Sequence, residues 1–258
     1  TRVIWTVHNL QPQERGALSD HLGHRALYNR ADLCIFHSES ARARAAQLFG
    51  ERKETSIVMP HGNYDGVLPA PSPRAATLAK LGTPADRKIL LCFGQIRHYK
   101  GFDIAVQALG HLHGDYHLII AGRLVQSREA LLGEQSAEDR ITVLPRDLDD
   151  QELTDLLAAS DAVLLPYRDI TGSGALLHAL SSARPVVASD LPYFREVLSL
   201  APEAGVLIPR ESPAALAFGI EQLFRADLDV RQRAARSIVD RFDWNQIVMP
   251  VVQWIKTR

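Results

Sequence analysis

The chain of 258 residues is 46% hydrophobic and 23% charged, as is typical of a soluble globular protein with one large or two modest domains. Its net charge of −1 at pH 7 provides no overall attraction for nucleic acid, so we expect no nucleic-acid partner. No apolar run is long enough to cross a bilayer as a helix. The two cysteines, Cys34 and Cys92, fall in strand-like apolar runs and indicate reduced core residues, as in a cytoplasmic protein.

The first part of the chain alternates short apolar runs with helical patterns. Ser38 is a suitable N-cap for a helix predicted at 41–49, which Gly50 ends. The stretch 65–84 is rich in Pro, Gly and Ala, and this composition predicts a linker. Strands are predicted at 3–7, 31–36 and 55–59.

A second series of alternating strands and helices begins at Lys88. Its strands are almost entirely apolar, which predicts a parallel sheet covered on both faces by helices. Ligands of such sheets bind outside the carboxyl ends of the strands. The strands are predicted at 89–93, 117–121, 141–144, 162–165, 186–188 and 205–208. The helices are predicted at 102–109, 127–135, 150–159, 174–182, around 194, and at 213–224, 230–241 and 244–256.

Residues 171–174, Thr-Gly-Ser-Gly, connect a predicted strand to a predicted helix. The first N–H groups of a helix lack internal partners and carry partial positive charge, and glycine lets a ligand approach the backbone closely. This loop is therefore a candidate phosphate site. An ordinary turn before a helix has the same pattern, and Leu177 stands where a dinucleotide fingerprint has its third glycine.

Residues 93–101, Phe-Gly-Gln-Ile-Arg-His-Tyr-Lys-Gly, follow the first strand of the second series. Arg97 offers a forked donor and Lys100 a mobile point charge, and together these suit a diphosphate. A solvated basic loop would have the same composition.

Several other chemistries lack their sequence signatures. The chain contains no His-Glu-x-x-His, no Cys-x-x-Cys, no Walker loop and no Gly-x-Ser-x-Gly. Asp147-x-Asp149 is similar to a metal-binding acid pair, but Asp149 or Asp150 also suits the N-cap of the next helix. We therefore predict no metal site.

Taken together, these segments resemble the retaining, nucleotide-sugar-dependent glycosyltransferases of family 4. The resemblance covers nearly the whole chain in order, and its last two motifs are the most specific. The matching segments are His8-Asn9, the strand end 57–63 with Pro-His-Gly-Asn, the basic loop 93–101, Ala121-Gly122-Arg123, the donor loop and helix 165–190, and Phe242-Asp243-Trp244.

The resemblance implies an α/β protein of the GT-B type, with a Rossmann-like parallel-sheet C-terminal domain and a partial N-terminal Rossmann-like domain. It implies sugar transfer from a UDP- or GDP-sugar to a glycan or lipid-linked acceptor, without metal or cofactor. His8 would face the sugar or acceptor, although a histidine at a strand end also fits a core position. The implied nucleotide-sugar contacts are Gly94, Gln95, Arg97, Lys100, Arg123, Thr171, Ser173, Gly174, Leu177 and His178.

The chain departs from the family at its acidic positions. The family's two donor-loop glutamates fall at Ile170 and His178, and its usual basic-loop arginine falls at Gln95. Asp169 lies one position from the first glutamate and is the candidate to replace it, so we assign it a catalytic role beside His8.

The resemblance divides the chain into an acceptor-side domain at 1–66, a donor-binding domain at 67–242 and a helix at 243–258 that crosses back. The chain enters a strand directly, so we expect upstream sequence to be missing, and a partner subunit to supply that half if Thr1 is the true start. The family's acceptors also imply peripheral contact with the inner face of the plasma membrane. Two alternatives stay open, a nucleotide-sugar-binding or scaffold module without catalysis and a sugar-nucleotide epimerase.

Overall fold

The computed structural model of the chain describes residues 2–10, 18–133 and 139–257. Within these residues, the first strands form a three-stranded parallel sheet in the order β1-β2-β3. The central strand is fully buried, as its apolar sequence predicted. The elements of this part are β1 (Ile4–Val7), α1 (Leu18–Arg30), β2 (Leu33–Phe36), α2 (Glu39–Phe49) and β3 (Ser56–Val58).

The later strands form a parallel sheet in the order β6-β5-β4-β7-β8-β9, across the residues described. Strand order reverses between β4 and β7, which lie side by side, and ligands of α/β sheets bind outside the carboxyl ends at such a reversal. The predicted strands are confirmed to within one residue at each end. They are β4 (Lys88–Phe93), β5 (Tyr116–Ala121), β6 (Ile141–Leu144), β7 (Ala162–Leu165), β8 (Val186–Ser189) and β9 (Gly205–Ile208).

Helices cover this sheet and bury one continuous apolar core against it. None of the helices described is both long and apolar enough to cross a membrane. The predicted 127–135 helix ends early, at Leu132, and 134–138 lie outside the described residues. The helices are α3 (Arg74–Lys80), α4 (Phe102–Ala108), α5 (Arg128–Leu132), α6 (Asp150–Ala159), α7 (Gly174–Ser181), α8 (Pro192–Leu198), α9 (Pro213–Arg225) and α10 (Leu228–Val239).

The predicted linker at 65–84 is wrong over α3, which packs on α6. Leu78 is fully buried in the core, and Arg74 forms a bidentate ion pair with Asp161. The Ser72 N–H donates to the Asp155 carboxylate at 2.7 Å. Composition predicted a linker because Ala and Pro are common there, but Ala is also a strong helix former.

The last predicted helix is divided into α11 (Trp244–Ile247) and α12 (Met249–Lys256). Pro250 lies in the first turn of α12 and has no N–H to continue the hydrogen bonding of α11. The Trp244 indole N–H donates to the Asn63 carbonyl at 3.0 Å, and its ring fills the space that a Cβ at Gly62 would need. This contact joins the C-terminal helices to the segment after β3.

Candidate active site

Two loops meet where the strand order of the larger sheet reverses. The basic loop (residues 94–101) follows β4, and the glycine loop (residues 166–174) follows β7. Gly101 has a φ of 64°, and a Cβ there would lie 2.1 Å from the Pro166 carbonyl oxygen. The Arg168 N–H donates to the Tyr99 carbonyl at 2.7 Å. The two segments that the sequence singled out separately therefore form one surface.

Arg168 holds the two loops together and was not predicted from the sequence. Its guanidinium forms a bidentate ion pair with Asp103 at 2.6 and 2.9 Å, and donates to the His98 carbonyl at 2.6 Å. A bidentate pair fixes orientation as well as distance. Asp103 lies 65 residues earlier in the chain, so no local pattern indicated the pair.

Lys100 lies at the carboxyl end of β4, as expected for a diphosphate contact. Its ammonium donates to the Phe93 carbonyl at 3.5 Å, and a Cβ at Gly94 would come within 2.6 Å of its Nζ. Gly94 has a φ of 94°, so glycine suits this position both for conformation and for space. Burial lowers the pKa of Lys100 to about 8, and the nearby Arg97 guanidinium acts in the same direction. No carboxylate among the described residues acts on this ammonium, so a bound anion would be its counter-ion.

Gln95 and Arg97 form one unit. The Arg97 Nε donates to Gln95 Oε1 at 2.9 Å, so the residue at the family's arginine position orients the arginine two positions later. Both side chains are partly buried in the basic loop. Gln95, which stands where the family usually has an arginine, therefore has a structural role in this loop.

The Arg123 side chain pairs with an acid that follows β6. Its Nε lies 3.7 Å from the Asp147 carboxylate, and both side chains are largely exposed. The preceding Gly122 has a φ of 142°, and a Cβ there would lie 2.1 Å from the Gly94 carbonyl oxygen. In this arrangement the two glycines bring the ends of β4 and β5 together, whereas the Arg123 side chain forms a surface pair.

In the Asp147-x-Asp149 pair, one acid caps the next helix, as the sequence predicted. Asp149 is the N-cap of α6 and forms a capping box with Glu152. Asp147 pairs with Arg123. Over the described part of the chain, no group of three or more His, Cys, Asp or Glu side chains is arranged to hold a metal ion.

The end of the glycine loop forms the start of α7. The buried Ser173 is its N-cap, and its Oγ accepts from the Leu176 N–H at 3.2 Å. A Cβ at Gly174 would lie 3.0 Å from Tyr64 Oη and 3.8 Å from His61 Nε2, so this glycine faces residues that follow β3. The Leu177 side chain is fully buried in the core and has no surface to offer a ligand.

His178 lies beneath Tyr64. The two rings are stacked with centroids 3.9 Å apart and planes within 3°, and only 8% of His178 is exposed. Burial lowers the pKa of His178 to about 4, so its imidazole is neutral at physiological pH. The sequence predicted His178 as a contact to the nucleotide, and a ribose would reach the ring only after Tyr64 moves. Tyr64 was missed because an aromatic residue after Pro-His-Gly-Asn carries no distinctive signal.

Asp169 and Thr171 face the smaller sheet's side of the molecule. Both line a groove of about 210 Å³, together with Ser40 and Arg44 of α2. Asp169 is exposed, and its carboxylate also accepts the Ile170 N–H at 2.8 Å. The predicted catalytic acid therefore opens onto space between the two sheets' helices and loops.

His8 follows β1 and is exposed. Its exposure favours a position facing the sugar or acceptor over a position in the core. Its ring lies 5.1 Å from that of His37, which follows β2, and His37 lies 6.5 Å from His61, which comes after β3. Only His8 was predicted as a site residue. The signal for the others was present, because each strand of the smaller sheet is followed by a histidine.

Glu196 of α8 connects the two parts of the chain. Its two carboxylate oxygens accept the Glu39 and Ser40 N–H groups at 2.8 and 2.9 Å, at the first turn of α2. A carboxylate at a helix N-terminus satisfies free donors and complements the helix dipole. This contact holds α2 against the side of the molecule that carries the glycine loop.

We expect Glu196→Ala to lower the free energy of unfolding by about 0.5–2 kcal/mol, the range for losing a helix N-terminal cap. Glu196→Gln keeps one good acceptor oxygen and should cost less. Urea denaturation measures both, with Glu129→Ala on the exposed side of α5 as the control. Equal losses for Glu196→Ala and Glu129→Ala would show that the bridging contact contributes nothing.

Comparison with known proteins shows the family to which the chain belongs. A sequence model of the family described as Glycosyl transferases group 1 matches residues 87–226, which is more than half of the chain. A D-inositol 3-phosphate glycosyltransferase from Xylanimonas cellulosilytica is 27% identical over 249 residues, covering 91% of this chain and 58% of the relative. A GDP-mannose:glycolipid 4-beta-D-mannosyltransferase from Xanthomonas campestris pv. campestris is 31% identical, covering 96% and 66%. The chain thus spans only part of the length of these relatives.

Solved structures show the same fold. Anabaena Alr3699/HepE in complex with UDP and glucose superposes with a TM-score of 0.85 at 20% identity, covering all of this chain and 72% of that one. WaaG, a glycosyltransferase involved in lipopolysaccharide biosynthesis, gives a TM-score of 0.72 at 19% identity, covering 95% and 71%. The GT-B-like α/β fold predicted from the sequence is thereby confirmed. On the match across 87–226, this chain belongs to the Glycosyl transferases group 1 family.

Proposed function

We propose that the chain carries the donor site of a glycosyltransferase, which moves a sugar from a nucleoside diphosphate to a glycan or lipid-linked acceptor. The observation that carries the proposal is the meeting of the basic loop and the glycine loop at the reversal of strand order, with the Lys100 ammonium beneath Gly94. This place in an α/β sheet is where such folds bind nucleotides. Membership of the group 1 family supports the same reaction class.

The chemistry requires that charge on the departing diphosphate be balanced. Lys100, Arg97 and the first N–H groups of α7 supply positive charge from the larger sheet's side. Donors that are already in place when charge develops usually provide the largest catalytic contribution. We propose that transfer needs no metal, and these positively charged groups support the proposal because they would stabilise the leaving group in its place.

His8 and Asp169 are proposed to act at the sugar from opposite sides of the cleft. His8 is exposed at the end of β1, and Asp169 lines the groove beside α2. We propose that the sugar is transferred with retention of its anomeric configuration, as in the family that the sequence resembles. In that reaction Asp169 would face the anomeric centre, in place of the family's first glutamate.

The donor is proposed to be a UDP- or GDP-sugar. The Xanthomonas relative is named for GDP-mannose, and the Anabaena structure contains UDP and glucose. The acceptor class follows from the same relative, which is named for a glycolipid. A lipid-linked acceptor would bring the protein to the surface of a membrane.

We expect a matching nucleotide sugar, at about 100 times its dissociation constant, to stabilise the protein by about 2.7 kcal/mol. For a chain of this size the melting temperature should rise by roughly 5–10 °C. Melting is measured with UDP-glucose, GDP-mannose and the free nucleosides, with and without EDTA. EDTA should leave the shift unchanged. A shift that is lost with EDTA and restored by Mn²⁺ would contradict metal independence and return attention to Asp147 and Asp149.

Release of nucleoside diphosphate separates transfer from binding alone. Slow hydrolysis of the bound donor, followed by phosphorus NMR, would support an enzyme. Tight binding of the nucleotide sugar with no release over days would instead support the binding-module alternative that the missing glutamates suggest.

A further inference from the structure

Three histidines line one edge of the smaller sheet. His8, His37 and His61 follow β1, β2 and β3, and parallel strands bring their carboxyl ends to the same edge. A Cβ at Gly172 would lie 4.0 Å from His37 Cβ, and a Cβ at Gly174 would lie 3.8 Å from His61 Nε2. The histidine edge therefore faces the glycine loop across the cleft.

The tautomer of His37 is determined by its surroundings. Its Nδ1 lies 2.9 Å from the Met59 carbonyl oxygen, which can only accept, so Nδ1 carries the proton. Burial lowers the pKa of His37, the bond to Met59 opposes this, and His8 and His61 lower it further. The neutral ring then presents a lone pair at Nε2. That atom is buried and has no hydrogen-bond partner among the described residues.

His8 is the ring neighbour that can supply the missing donor. The other ring neighbour of His37 that the structure shows is His61, whose Nδ1 already lies 2.8 Å from the Gly62 carbonyl oxygen. The His8 and His37 ring centroids are 5.1 Å apart. An N–H···N bond of about 3 Å, with about 1 Å from each nitrogen to its ring centre, gives the same separation. A rotation of the exposed His8 ring would bring its N–H onto the lone pair.

We propose that His37 is a positioning residue for His8. The Nε2 of His37 accepts the N–H of one His8 nitrogen, and the other His8 nitrogen is thereby held as an acceptor that faces the glycine loop. The Met59 carbonyl, His37 and His8 form a series in which each group orients the next. A catalytic base that is oriented by a second group in this way is a recurring arrangement. The role of His8 in transfer rests on the proposed function, but its orientation does not.

Nitrogen-15 NMR of the imidazole rings tests the orientation directly, without donor or acceptor. In the wild type we expect His37 as the Nδ1–H tautomer and His8 as one dominant tautomer, with His8→Gln used to assign its signals. His37→Phe keeps an aromatic ring but removes the lone pair, so His8 should become a mixture of tautomers. His37→Gln keeps an acceptor oxygen and should preserve one dominant His8 tautomer. The same His8 tautomer in wild type and in folded His37→Phe would overturn the proposal.

Kinetics then test the consequence for transfer. His37→Phe should lower kcat by at least about tenfold, a part of the roughly 10²–10⁴-fold that general acid–base catalysis contributes, while KM for the donor changes little. Recovery of most of kcat by His37→Gln is expected. If the NMR result holds but neither variant changes kcat, the orientation stands and His8 has no part in the reaction. If the His8 tautomer is the same in His37→Phe as in the wild type, and this variant only raises KM for the donor, the positioning role is wrong.

Discussion

Lys100→Met is expected to weaken binding of UDP or GDP by about 10- to 150-fold, the range for losing one hydrogen bond to a charged group. Affinity for the free nucleoside should change little, because the ammonium lies at the strand end where phosphate would bind. Calorimetric titration with nucleoside and nucleoside diphosphate measures both. Lys80→Met, on the exposed side of α3, removes the same charge elsewhere and serves as the control. Unchanged affinity for the diphosphate in Lys100→Met would rule out the proposed phosphate contact.

The lowered pKa of Lys100 adds a second signature. With a pKa of about 8 in the free protein, about nine tenths of Lys100 side chains are neutral at pH 9. A bound diphosphate favours the charged form, so binding at pH 9 should take up nearly one proton, and affinity should fall as pH rises above 8. Titrations in buffers of different ionisation enthalpy detect this uptake. In the wild type, the proton uptake should be small at pH 7. In Lys100→Met, it should be absent at pH 9.

Lys100→Met should not weaken the fold. A lysine whose pKa is lower in the folded than in the unfolded protein costs stability below about pH 8, and this cost disappears as pH rises toward the unfolded value of 10.5. Methionine is of similar length and has no charge to desolvate. Its melting temperature at pH 7 should therefore equal or exceed that of the wild type. Stability and ligand binding are thus expected to change in opposite directions at this residue.

Gly174→Val is expected to abolish measurable binding of nucleoside diphosphate. The new side chain would project into the cleft at the first residue of α7, where a Cβ alone comes within 3.0 Å of Tyr64 Oη. The position is at a helix start and not in the core, so the cost in stability should stay below the roughly 1–3 kcal/mol of overpacking a core. Calorimetry and thermal melting of the same sample separate the two effects. Gly23→Val, on α1 where a Cβ meets nothing within 4 Å, is the control.

A double substitution distinguishes a ligand contact from a clash with Tyr64. Gly174→Ala places one methyl group near the hydroxyl, and Tyr64→Phe removes that hydroxyl. If the methyl group occupies space that the ligand needs, Gly174→Ala should weaken binding equally with Tyr or Phe at position 64. Full recovery in the double variant would show that Gly174 only makes room for Tyr64. Wild-type binding by Gly174→Val would mean that the glycine loop is an ordinary turn.

The sequence by itself predicted the features that depend on neighbouring residues. Apolar runs located the strands of the larger sheet, because a strand buried on both faces must be apolar along its length. Ser38 was predicted as one helix cap, and Asp149 or Asp150 as another, because a cap needs only a side-chain oxygen two or three residues before a free N–H. The structure has Ser38 and Asp149 in these roles. Lys100 was predicted as a phosphate contact because it follows a strand end beside Arg97, and this role stays a prediction.

The tertiary structure alone decided which of these features meet. The reversal of strand order between β4 and β7 brings the basic loop to the glycine loop. Arg168 joins the two loops, and its ion-pair partner Asp103 lies 65 positions earlier in the chain. The Glu196 carboxylate accepts an N–H of α2 from a residue 156 positions earlier in the chain. Tyr64 covers His178, and His37 lies beside His8, although neither Tyr64 nor His37 was predicted as a site residue. Local sequence predicted the strands of the larger sheet and several caps, but it assigned α3 to a linker. The partner of a side chain depends on how the parallel strands are ordered, and that order is set by packing of the whole core.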